Sequence, residues 1–286
     1  MGNETNKEKK GKAAIVDEPM TPVPLDQRQH WITPAVIFGG LEFCVPILMI
    51  GATLIGAFGI KGMVPVVLFT FLVLTWAGNS VSGYIGAKTG LSSSVIARQG
   101  FGDKQAKFII ALVIGVISMG WWAIQTSVTG NALCVVLGIN YTENRVAWAI
   151  VTIIVGILFS LPSIIGYSSM KWTDYLAVPC GLILCVAGIY LALKNVGWSG
   201  ILAYEGNGSL TFAAGVTLLL GMNVSQLVIS ADYTRYAKPS WKDNILIPLG
   251  IVAIGIPLTF IGAIMAVGNG TADIVGEQLY NGAFLF

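Results

Sequence analysis

The sequence predicts an all-α polytopic membrane protein, and three observations carry that prediction. Hydrophobic residues make up 55% of the 286-residue chain and charged residues only 10%, with a mean hydropathy of +0.77, a balance that a soluble domain of this length does not tolerate. Apolar runs of bilayer-spanning length recur at about 34–60, 63–86, 107–138, 146–166, 173–193, 209–231 and 245–268. Two of these runs, the first and the sixth, carry residues that a continuous lipid-facing helix does not need. The predicted organisation is a disordered cytoplasmic tail over 1–30, a transmembrane domain of seven spans over 31–268, and an external segment over 269–286. That last segment ends on a renewed apolar start, Gly282 to Phe286, read as the beginning of a truncated eighth span.

The tail carries Lys7, Lys9, Lys10 and Lys12 and no apolar core of the kind a signal peptide needs. With the tail inside, thirteen of the sixteen Lys and Arg residues fall on the cytoplasmic side, which predicts a cytoplasmic amino terminus in a multi-pass protein of the cell membrane. A net charge of +2 without a basic cluster argues against a nucleic-acid partner. Cys44, Cys134, Cys180 and Cys185 lie in apolar runs without metal or redox spacing and read as packing residues. His30, beside Trp31, reads as interfacial. One histidine outside the spans and no acid pair at membrane depth argue against an intramembrane enzyme.

In span one the stretch Gly39-Gly40-Leu41-Glu42-Phe43-Cys44-Val45-Pro46 predicts a break. Pro46 removes a backbone donor and frees a carbonyl near Glu42, while Gly39 and Gly40 leave the backbone unshielded. Irregular backbone survives in lipid only where it faces protein or a watery cavity, so the break is a candidate ion or solute site. Span six turns polar at Gly221, Asn223, Ser225, Gln226 and Ser230, and interrupted segments five spans apart point to an inverted-repeat transporter. The alternative for span six is a helix–helix interface glued by Ser and Asn. In span three, Trp121 and Gln125 are one turn apart on one face, too deep for an interfacial aromatic belt. The indole can cover a flat ring and the amide can pair its polar edge, or the two can serve core packing and an interhelical hydrogen bond.

These residues resemble the nucleobase:cation symporter-1 family, which includes cytosine permeases, hydantoin transporters and allantoin permeases. The likeness rests on Gly40 to Pro46, Gly90-Leu91, Ala97 to Gly102, Trp121 with Gln125, and Ala231 to Tyr236. The resemblance implies a partial five-plus-five inverted repeat, similar to the sodium-coupled leucine transporter, with broken helices 1 and 6. It further implies that the Gly40 and Phe43 carbonyls hold a sodium ion, that Cys44 borders the substrate, that Trp121 stacks on the heterocycle and that Gln125 pairs its edge. An aromatic that the family places in span six falls on Asn223 here, a departure, and Ser225 matches a neighbouring polar contact. The expected function is a sodium- or proton-coupled symporter importing cytosine or a related purine, allantoin or hydantoin-like heterocycle, with no cofactor beyond the coupling ion. Helices 8–12 are expected to be needed for transport, because two carbonyls do not replace a cation's hydration; a non-transporting fragment is the remaining alternative. Glu42, the acid at membrane depth, has two readings: a protonated side chain donating to a freed carbonyl, or an added charge or proton carrier at the cation site.

Overall fold

The computed structural model describes residues 20–140, 142–165 and 167–270, and these form helices joined by short turns, with no strand among them. In chain order the helices are α1 (Ile32–Glu42), α2 (Val45–Leu68), α3 (Trp76–Thr89), α4 (Ser93–Phe101), α5 (Asp103–Gln105), α6 (Ala111–Val136), α7 (Arg145–Ile165), α8 (Tyr167–Ala203), α9 (Phe212–Thr234), α10 (Trp241–Asn244) and α11 (Leu249–Asn269). Wider π-type turns, Phe69–Thr75 and Ala106–Ile110, join α2 to α3 and α5 to α6. Among the described residues, six stretches are long and apolar enough to cross a membrane: Val45–Thr89, Asp103–Val136, Arg145–Pro162, Pro179–Ala203, Phe212–Thr234 and Trp241–Gly268. The chain is a multi-pass membrane protein.

The first expected run is divided where the sequence predicts it. Phe43 ends α1 with φ −75° and ψ 75°, and the Cys44 amide donates to Glu42 O at 2.8 Å, an inverse γ-turn. Cys44 is extended and Pro46 lies in the first turn of α2, where its missing donor costs nothing. A second division falls at Gly59, whose φ of 64° requires glycine. The 45-residue Val45–Thr89 stretch would be about 67 Å long as one helix, twice the thickness of the hydrocarbon core, so Gly59 is where it parts into two. The carbonyls released there are taken up by a distant loop: Asn207 N donates to Gly56 O and Gly208 N to Ala57 O, both at 2.9 Å.

Three expectations need correction. Residues 20–30, read as part of a disordered tail, are ordered; residues 1–19 and 271–286 lie outside the described residues, and with them most of the expected external segment and the start of an eighth span. Val23 is 2% exposed and its amide donates to Gly90 O at 3.0 Å, while Gln29 N donates to Tyr236 O at 2.6 Å. Arg28 donates to Val23 O at 3.0 Å and to Ala87 O, so its charge meets one carbonyl of its own segment and one at the C-terminus of α3. A short polar segment that finds backbone partners at two helix ends need not stay disordered, and composition does not show those partners. Second, the gap expected between the 146–166 and 173–193 runs is helical from Tyr167 onward, within α8. Third, the expected break in span six is absent: α9 runs continuously from Phe212 to Thr234. It contains two glycines, Gly215 and Gly221, but no proline, and each glycine costs a helix only about 1 kcal/mol.

Glycines set the packing of α11. A Cβ on Gly250 would collide with Ala35 O, one on Gly262 with Leu48 O, and one on Gly51 with Thr259 O, so α1 and α2 meet α11 backbone to backbone, as small residues permit in membranes. Gly262→Leu is expected to cost at least the 1–3 kcal/mol typical of overpacking. Thermal unfolding in detergent checks this, with the surface change Leu182→Ala, at an exposed position, as the control that leaves the midpoint near wild type.

Candidate functional site

The site is built where α1 is interrupted and α9 passes beside it. Glu42, the last residue of α1, is 2% exposed, and the Gln226 side chain of α9 lies beside its carboxyl. One turn earlier, the Phe38 ring meets Tyr233 of α9 edge to face, with centroids 5.7 Å apart. Gln226 and Tyr233, seven residues apart, thus define the side of α9 that faces α1. The buried acid therefore has a polar partner across the interface, which neither sequence reading of Glu42 named. Gly40 O accepts from Phe43 N at 3.1 Å, using one of its two acceptor positions. The Phe43 ring lies where a side chain on Gly181 would be, so α8 closes over the interruption from another side. Cys44 is half-buried against the core.

A second face of α9 reaches α6. Trp121 Nε1 donates to Ser225 Oγ at 3.0 Å, which brings together two of the residues singled out in the sequence. Trp121 and Gln125 are both partly buried and lie on one face of α6. Trp122 points elsewhere, its indole donating to Gly156 O at 3.2 Å across the α6–α7 contact. Asn223 is not brought to Trp121. It stands two residues from Ser225, nearly the opposite side of a helix, is fully buried, and its Nδ2 donates to Leu219 O at 3.3 Å. Helical phase shows the separation once α9 is known to be unbroken. Asp232 accepts from Ser93 N at 2.9 Å and so ties the start of α4 to the end of α9.

The chain was compared with known proteins. Residues 22–285 match the family described as permease for cytosine/purines, uracil, thiamine, allantoin. The chain belongs to this family. The cytosine permease of Escherichia coli strain K12 is 27% identical over 268 residues, covering 92% of this chain and 61% of that protein, and cytosine permeases of two other strains match equally. The chain thus spans about three fifths of the length of these curated relatives. Among solved structures, MHP1, a nucleobase-cation-symport-1 family transporter in a closed conformation with bromovinylhydantoin bound, aligns over 94% of this chain and 62% of its own length. Its TM-score is 0.69 at 16% identity. The fold is therefore that of the nucleobase:cation symporter-1 family, of which this chain carries a part, and the family is one of transporters rather than enzymes.

If the indole-to-hydroxyl bond couples α6 to α9, Trp121→Phe and Ser225→Ala each lose about 1 kcal/mol and the double variant loses no more than either alone. A double-mutant cycle on thermal stability measures this, and fully additive losses would show that the two side chains act independently.

Proposed function

We propose that this chain is the substrate- and ion-binding part of a cation-coupled permease that imports a nucleobase, cytosine first, across the cell membrane by alternating access. The observation that carries the reading is the interruption of α1 beside α9, together with the bond by which the same α9 receives Trp121 of α6 at Ser225. Cytosine as the first substrate rests on the likeness to cytosine permeases; hydantoin-like rings come next, from the molecule bound to MHP1.

In this reading Trp121 covers one face of the heterocycle and Gln125 pairs its edge, while Ser225 orients the indole through the bond it accepts. Cys44, at the start of α2, borders the ring. The Gly40 and Phe43 carbonyls contribute to a sodium site that further helices complete. Glu42, next to Gln226, supplies negative charge or a coupled proton beside those carbonyls. The basic residues place the amino terminus in the cytoplasm, with seven passes over 31–268.

Binding of radiolabelled cytosine, hypoxanthine, allantoin and benzylhydantoin to the purified chain, and uptake by cells expressing the full reading frame, test the reading. Trp121→Ala is expected to lose about 1–3 kcal/mol of ligand affinity, and Gln125→Ala to relax discrimination among the rings. Unchanged affinity in both variants would remove α6 from the site. Glu42→Gln keeps the shape but cannot ionise; uptake with unaltered sodium and pH dependence in that variant would end the coupling role.

A further inference from the structure

We propose that α3 and α9 hold a separate alkali-cation site between them, with Thr75 Oγ1, Asn79 Oδ1, Asn223 Oδ1 and Gln226 Oε1 as ligands and the Glu42 carboxylate as the balancing charge. The two helices run in the same direction in close register. A Cβ on Gly78 would meet Leu227, one on Gly83 would meet Ser230 and Thr234, and one on Gly86 would meet Ala231 and Thr234. Carried back one turn, this register sets Thr75 and Asn79 level with Asn223 and Gln226. Thr75 and Asn79 are four apart on one helix, Asn223 and Gln226 three apart on the other, so each pair shares a side. Thr75 ends the π-type turn Phe69–Thr75, a local widening often found at functional positions.

The orientation of the amides follows from chemistry. Asn79 Nδ2 donates to Thr75 O at 3.0 Å and Asn223 Nδ2 to Leu219 O at 3.3 Å. A main-chain carbonyl only accepts, so neither amide can be flipped, and both oxygen ends are directed away from these bonds. The Gln226 side chain lies beside the Glu42 carboxyl. Thr75, Asn79 and Asn223 are at most 1% exposed, and among the described residues no group pairs with Thr75 Oγ1, Asn79 Oδ1, Asn223 Oδ1 or Gln226 Oε1.

Three amide oxygens and a hydroxyl form a neutral, hard-oxygen set of the kind that replaces an alkali cation's hydration shell. A divalent ion would demand more carboxylates than one. Glu42, beside Gln226, can supply one negative charge when a cation arrives, which matches a single positive charge. The site uses the second and sixth apolar segments of the chain, not the carbonyls of Gly40 and Phe43.

The test is thermal unfolding of the purified chain, without substrate, in lithium, sodium, potassium or choline chloride at constant ionic strength. Wild type should show a saturable rise in midpoint with at least one alkali cation over choline. Asn79→Leu and Asn223→Leu should abolish that rise, and the near-isosteric Thr75→Val and Glu42→Gln should weaken apparent affinity about 10–100-fold. Ser230→Ala, further along the same contact, should leave it intact. Should a leucine variant fail to fold, Thr75→Val and Glu42→Gln carry the test through sodium-23 NMR line broadening. Equal midpoints in all salts, which would mean that water alone fills the contact, or an undiminished response in Thr75→Val and Glu42→Gln, would overturn the proposal. Because no substrate is present, such a failure leaves the heterocycle reading untouched.

Discussion

In a hydrocarbon slab every backbone polar group must find its partner inside the protein, and this constraint governs each irregular feature of the chain. At Phe43–Cys44 the interruption is closed by a γ-turn and by the placement of Pro46 where no donor is required. At Gly59 the released carbonyls of Gly56 and Ala57 are met by amides of a loop some 150 residues later in the chain. Both features join local irregularity to distant packing: the break in α1 lies against α8 and α9, and the Gly59 turn lies under the Tyr204–Gly208 loop.

The same economy explains the use of glycine. Without a hydrophobic force between helices in lipid, close contact must come from shape. Gly250, Gly262 and Gly51 bring α11 against α1 and α2, and Gly83 and Gly86 bring α3 against α9. These contacts leave α9 with three working sides: one toward α1 through Tyr233, one toward α3 through Ser230 and Thr234, and one toward α6 and α4 through Ser225 and Asp232, with Gln226 at the edge between the first two. A helix so used cannot present its polar residues to one cavity. Their density in the sequence reflects several interfaces at once.

The ordered segment before α1 adds a constraint at one end of the bundle. Val23, Arg28 and Gln29 bond to the ends of α3 and α9 just before the chain enters α1, so the ends of three helices are fastened by one stretch. Burial lowers the pKa of Arg28 from its usual value, yet the guanidinium stays charged, and its fork suits the carbonyls that terminate a helix.

Composition and apolar run length determined by themselves that the chain is helical and crosses a membrane, because the energy of placing charge and backbone in lipid is local and large. Pro46 beside Glu42 likewise made the break in the first run legible, since proline removes a hydrogen bond wherever it stands. The pairing of Trp121 with Ser225 could not be read, because an indole one turn from a glutamine says nothing about which helix lies opposite. The continuity of α9 was settled only by the structure, since a helix with glycines but no proline can either run on or break. So were the partner of Glu42 and the burial of Asn223 away from Trp121. Each depends on the rotation of one helix relative to its neighbours, a quantity set by how glycines and bulky residues interlock across the whole bundle and not by any single segment.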